Sequence, residues 1–186
     1  MGSIRVHEFL SLDGVMEDPS WTAEFGFDPR MGAALGAVTS GCERILLGRR
    51  TFQMFEPAWS TRTAADDPGA PFFNDTTKCV VSSTLTEATW RNSEILGAYD
   101  AGAIRRLRDS VDGGIYVSGS GTLVRAMLAD GLIDQLHLFV YPVALGAGTR
   151  LFAGDGPRAR LRLRECERYE NGVVYLAYEK AATPAG

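Results

Sequence analysis

Lysine is almost missing from this chain. Among 186 residues only Lys78 and Lys180 carry it, so arginine supplies nearly all the positive charge. Nineteen basic residues face 23 acidic ones, a formal net charge of -4. That balance argues against nucleic acid or an anionic membrane as the main partner. No run approaches the ~20 consecutive apolar residues of a membrane span. Arg5, His7 and Glu8 interrupt what would be the apolar stretch of a signal peptide, so a cytoplasmic location is expected. Cysteine is scarce and odd in number. Cys42, Cys79 and Cys166 have no paired spacing, which points to buried thiols in a reducing compartment, with neither a disulfide framework nor a metal site. Histidine is scarcer still: His7 and His137 each fall inside a predicted strand, where a structural role is the plainer reading.

What is present fits a soluble α/β protein. The chain is 45% hydrophobic and 23% charged, ordinary for a globular domain. One domain over 1–180 is expected, with a frayed tail at 181–186. Ile4 to Ser11 reads as a first strand. Asp28-Pro29 starts a helix that runs to Ser40, with Asp as cap and Pro at the first helical position. A short strand at Ile45 to Leu47 precedes a short helix, Arg49 to Phe55. Glu56 to Thr77 reads as a long loop. Strands follow at Cys79 to Val81 and Ser93 to Gly97, then a helix at Ala103 to Ser110. Leu132 to Tyr141 is apolar on both faces, the mark of a central strand. Two last strands, Leu161 to Tyr169 and Val173 to Glu179, are joined by Asn171-Gly172, a hairpin signal. The fold class is therefore α/β, three layers with a mixed central sheet and a C-terminal antiparallel hairpin.

Ile115-Tyr116-Val117 forms a strand, and Leu123, Val124, Met127 and Leu128 recur at helical spacing. The segment between them is Ser118-Gly119-Ser120-Gly121-Thr122. A small-residue loop opening a helix aims free N–H groups and the positive end of a dipole at whatever binds there, which suits a phosphate. Two phosphate motifs are excluded. Val124 stands where the dinucleotide fingerprint has its third glycine, and no lysine follows the loop. Taken alone, the segment reads equally well as a tight turn.

Three more segments follow strand ends: Ser11-Leu12-Asp13-Gly14, Gly48-Arg49-Arg50-Thr51 and Ser82-Ser83-Thr84. Ligands of open α/β sheets bind beyond the carboxyl ends of the strands. Adjacent arginines and paired serines make a chemically sensible grip on a phosphate. Trp21 and Trp59 are candidates to stack on a flat heterocycle, with simple packing the plainer alternative. Glu8 has no evident partner in the sequence.

In this order, Leu47-Gly48-Arg49-Arg50-Thr51-Phe52, Val80-Val81-Ser82-Ser83 and Val117-Ser118-Gly119-Ser120-Gly121 resemble the motif set of dihydrofolate-reductase-like enzymes. Ser11 to Gly14 and Pro142 to Phe152 narrow the resemblance to stand-alone RibD C-terminal domains, over essentially the whole chain. The resemblance implies an NADPH-dependent reductase of riboflavin-biosynthesis type, acting on a heterocyclic or ribosylamino substrate as a homodimer. It implies that Gly48, Arg49, Arg50 and Thr51 hold the phosphates of the cofactor. Ser82 and Ser83 would meet the 2′-phosphate or the adenine edge. Gly119, Ser120, Gly121, Thr122 and Leu123 would cradle the pyrophosphate. Leu12, Asp13 and Gly14 would lie beside the nicotinamide. Trp21, Leu145 and Gly146 would border the substrate, and Asp13, Glu56 or a water would deliver the proton. A folate or pterin reductase is the enzymatic alternative, although Met31, Gly32 and Ala33 stand where folate reductases place a carboxylate. A nucleotide-binding module without turnover is the other alternative.

Overall fold

The computed structural model describes residues 2–152 and 158–181. Of the expected tail only Ala181 is therefore among the described residues.

Among the described residues eight strands form one sheet: β1 (Ser3–Ser11), β2 (Cys42–Gly48), β3 (Thr77–Val81), β4 (Ser93–Gly97), β5 (Gly114–Ser118), β6 (Gln135–Tyr141), β7 (Leu161–Arg168) and β8 (Val174–Lys180). Five helices cover it: α1 (Pro29–Thr39), α2 (Arg49–Trp59), α3 (Ala70–Asp75), α4 (Ala101–Asp109) and α5 (Gly121–Ala129). A 3-10 helix spans Pro19–Phe25. The strand order is β4-β3-β2-β5-β1-β6-β8-β7. The six strands from β4 to β6 run parallel. The hairpin β7–β8 joins through an antiparallel β6–β8 pair.

Strand alternation explains the layers. Ile4, Val6 and Leu10 of β1 point to one face, where they meet Ile104 of α4 and Val124 and Met127 of α5. On the opposite face Val38 of α1, Phe52 of α2 and Phe73 of α3 pack on Ile45, Leu47, Val80 and Tyr116. Met31 of α1 packs there on Phe139 and Tyr175. Each fully buried aliphatic or aromatic side chain contributes about 1.5–3 kcal/mol. These two faces are therefore what hold the helices to the sheet.

The sequence reading needs correction in the segment Glu56 to Thr77. It is not one long loop: α2 continues through Pro57 to Trp59, and α3 forms at Ala70–Asp75. Tertiary contacts override the proline and the polar composition. The Trp59 and Phe73 rings stack at 4.3 Å. Asn74 Nδ2 donates to the carbonyls of Trp59 and Arg62, closing the end of α2. The fully buried Lys78 donates from Nζ to the carbonyls of Phe73, Asn74 and Thr76, closing α3. Burial lowers the Lys78 pKa to about 8. Two smaller differences follow. β6 starts at Gln135, three residues later than expected, because Asp134 turns its carboxylate back to accept from the Ile4 N–H. Of the three thiols, Cys79 is buried, Cys42 half-buried and Cys166 exposed on β7.

Candidate functional site

The site arises where strands end at different heights. β5 stops at Ser118, level with His7, while β1 runs on to Ser11 beside β6 alone. β2 ends at Gly48 on the far side of β5. From β2 the chain leaves through α2 on one face; from β5 it leaves through α5 on the other. That divergence is a topological switch point, where a crevice must open beyond the strand ends. A cavity of about 1510 Å³ fills it.

One end of the cavity is built from helix starts. α2 and α5 both begin there, and neither has a side-chain cap. By contrast α1 is capped by Asp28, which accepts from Arg30 N, and α4 by Asp100, which accepts from Gly102 N. The amides in the first turns of α2 and α5 are thus left for a ligand. Gly119 and Ser120 are both left-handed, with φ of 60° and 63°. A serine held so is strained, and its hydroxyl explains why it is tolerated. Ser120 Oγ accepts from Gly48 N and donates to Thr51 Oγ1, both at 2.7 Å, so it ties the two helix starts together. Arg49, Arg50 and Arg125 line this end. Arg49 also donates to Thr84 Oγ1 at 2.7 Å, reaching the segment beyond β3.

The other end is aromatic and buried. His7, Phe9, Phe72 and Tyr116 line it, with Trp59 beyond them. Tyr116 bridges the group, 5.5 Å from Phe72 and 6.1 Å from His7 between ring centroids. From α1 come Gly32, Leu35, Gly36 and Thr39, which present little bulk and no carboxylate. Burial lowers the His7 pKa to about 3, and His137 adds to that repulsion. His7 is therefore neutral. Its Nδ1 pairs with the Tyr116 hydroxyl at 3.0 Å, and its Nε2 has no partner among the described residues. Glu8, also lining the cavity, is 3% exposed. Burial pushes its carboxyl well above the usual range.

The structure brings Gly48, Arg49, Arg50, Thr51, Gly119, Ser120, Gly121, Thr122 and Leu123 to this one cavity. The remaining candidates stand outside its lining. Ser82 Oγ accepts from the N–H groups of Thr84 and Leu85, shaping a turn, and Ser83 is exposed. Glu56 accepts a hydrogen bond from Thr89 Oγ1. The Trp21 indole donates to the Glu17 carbonyl and packs edge-on against Tyr141. Leu12 is 70% exposed, and Gly14 sits in its turn at φ 81°. Asp13 is fully occupied: it accepts from Ser11 Oγ, from the amides of Leu145 and Gly146, and from Arg150. The Ser11 bond leads these in holding its carboxyl far below the usual range. Its place is that of a clasp between two loops. Reading motifs missed His7, Glu8, Tyr116, Phe72 and Arg125. The available signal was a charged Glu8 inside a strand covered on both faces.

The sequence model of the RibD C-terminal domain matches residues 3–175. The chain belongs to that family. This RibD C-terminal domain is similar to the uncharacterized protein YyaP of Bacillus subtilis (strain 168). The two are 26% identical over 180 residues, covering 91% of this chain and 90% of YyaP. Among solved structures, it resembles a protein assigned to riboflavin biosynthesis from Shewanella sp. PV-4 (TM-score 0.78, 19% identity, 98% of this chain and 100% of that one). It also resembles a pyrimidine reductase-like protein from Corynebacterium diphtheriae NCTC (TM-score 0.62, 15% identity, 98% and 93% covered). Its three-layer sheet and C-terminal hairpin have the dihydrofolate-reductase-like fold expected of the family. Among the described residues no helix is long and apolar enough to cross a membrane.

Proposed function

We propose that this RibD C-terminal domain is a reductase that takes NADPH and reduces a flat nitrogen heterocycle of the pyrimidine class. One observation carries the reading: two uncapped helix starts open on one cavity together with Arg49, Arg50 and Arg125. A dinucleotide pyrophosphate is the kind of ligand that satisfies such amides and dipoles. The shape of the loop fits that group. A Cβ on Gly119, where the backbone is left-handed, would meet Thr51 Oγ1 at 2.8 Å, so that position excludes a side chain where backbone must approach a ligand.

In this reading the amides of Gly121, Thr122 and Leu123 hold the pyrophosphate. Arg49, with Ser82, Ser83 and Thr84 behind it, holds the 2′-phosphate. When bound, the reduced nicotinamide supplies the hydride. Phe9, Phe72 and Tyr116 offer apolar faces for a planar ring, and burial keeps His7 uncharged beside it. The names of the relatives, riboflavin biosynthesis and pyrimidine reductase-like, support this substrate class. The absence of a carboxylate among the α1 residues lining the cavity disfavours a folate or pterin substrate. We also propose a homodimer, since β7 forms an edge of the sheet and leaves Leu163 51% exposed.

Fluorescence titration with NADPH and NADH, followed by NADPH oxidation with a panel of pyrimidines and dihydrofolate, tests the reading. NADPH is expected to bind at least about tenfold more tightly than NADH, a charge-assisted contact being lost with the 2′-phosphate. A pyrimidine should turn over and dihydrofolate should not. Equal affinity for the two nucleotides refutes the 2′-phosphate site. Binding without oxidation by any heterocycle favours a module without turnover. Light scattering at the 20.1 kDa monomer mass refutes the dimer.

A further inference from the structure

Two of the buried polar atoms without a partner among the described residues, His7 Nε2 and Glu8 Oε1, lie on adjacent residues of β1 and line the same cavity. They sit where β5 ends, at the junction of the helix-start end and the aromatic end. An unpaired buried carboxyl oxygen is costly unless a ligand meets it or the group is neutral. The Glu8 hydrogen bonds distinguish its two oxygens. Oε2 accepts from the Gly119 N–H at 3.2 Å, as the carbonyl oxygen of a carboxylic acid does. Oε1 is left to carry the proton.

Among the described residues no cation pairs with Glu8. Its titratable neighbours are His7 on its own strand, which burial keeps neutral, and Tyr116 on β5, whose phenol burial pushes up. Glu17, Arg49, Arg50 and Arg125 line the cavity without forming an ion pair to it. Among the described residues one backbone amide favours the ionised form of Glu8, and burial outweighs that amide.

We propose that Glu8 stands in this site as a neutral carboxylic acid and gives its Oε1 proton to the substrate. The substrate is then a heterocycle whose reducible carbon is double-bonded to a nitrogen or oxygen able to accept that hydrogen bond. This inference rests on the reductase reading. As the carbon accepts hydride, the electron pair of the double bond moves to the heteroatom, which takes the Oε1 proton. The two electrons come from a reduced nicotinamide dinucleotide. The carboxylate left behind regains a proton from water.

Infrared spectroscopy of the wild type at neutral pH, with carbon-13 in the glutamate side chains, tests the protonation directly. The expected result is the C=O stretch of a protonated carboxylic acid, shifted by the label and missing from Glu8→Gln. Glutamine keeps the acceptor for Gly119 N–H, so NADPH affinity should hold while turnover falls by about 10²–10⁴-fold. Thermal unfolding gives a readout without cofactor. The folded-state pKa of Glu8 is raised, so the folded protein keeps a proton that the unfolded chain loses above its ordinary value of 4.5. The Glu8 share of wild-type stability therefore declines as pH rises through that value, and Glu8→Gln lacks that decline. The melting temperature of Glu8→Gln should gain on the wild type as pH rises above 4.5. If Glu8→Gln does not fold, the labelled band in the wild type decides. Absence of the band, or full turnover by Glu8→Gln, overturns the proposal. A wild type that keeps the band and fails to bind NADPH overturns the reductase reading and the proton-transfer step, and leaves only the protonated Glu8 standing.

Discussion

The two ends of the cavity recognise by opposite means. At the helix-start end the groups offered are backbone amides and exposed arginines, charged by geometry and open to water. At the aromatic end they are ring side chains around His7, which burial keeps neutral, and at the junction stands Glu8, whose carboxyl burial pushes well above its usual range. In the proposed reading, charge is offered where the ligand brings phosphate and withheld where it brings a ring. The same strands build both ends, so the difference lies in how far each strand runs before its chain turns away.

Acid should break the contrast most severely. The folded-state pKa values of His7 and His137 lie near 3 and 4, below the ordinary 6.5, chiefly through burial. The unfolded chain therefore binds protons first, and stability falls as pH drops below 6.5 toward those values. Each histidine is expected to cost about 3 kcal/mol by pH 4. Denaturant melts across this range should show it, and His7→Gln should remove one histidine's share. A slope unchanged in His7→Gln contradicts a neutral His7.

Gly119→Val attacks the other end. A side chain there must adopt a left-handed backbone and push into Thr51. NADPH affinity should fall by about two orders of magnitude, by titration. Arg49→Ala is gentler and sharpens the assignment: about a tenfold loss for NADPH with little change for NADH. Loss of both nucleotides alike would place Arg49 on the pyrophosphate. Asp13→Asn should affect binding least. It should lower the melting temperature, because two amides and Arg150 lose a carboxylate, while NADPH affinity stays near that of the wild type. A large affinity loss would return Asp13 to the site.

The helix-start end was legible in the sequence because its chemistry is written in small residues and arginines at strand ends. Gly48 to Thr51 and Gly119 to Leu123 are contiguous, and both follow apolar runs. The aromatic end was not. His7, Phe72 and Tyr116 are distant in the chain and meet only through the pairing of β1 with β5 and the packing of α3. Glu8 was visible only as an oddity in an apolar strand. Ser82 and Asp13 show why such readings stay open: residues that suit a ligand's oxygen or amide also suit the backbone of their own turn. The strand pattern carried the sheet, including the hairpin at Asn171-Gly172. α3 stayed hidden because Asn74 and Lys78, which close its neighbourhood, act through carbonyls that no local pattern records.

The Ser120 hydroxyl has a mechanical consequence. It bonds to the first residues around α2 while its own backbone opens α5. The two helix starts therefore cannot spread or close independently. Together they act as a fixed-gauge caliper. Under the proposed reading, a ligand with two anionic groups at the matching separation would engage both jaws at once, and a shorter anion would fill one jaw and leave the other hydrated.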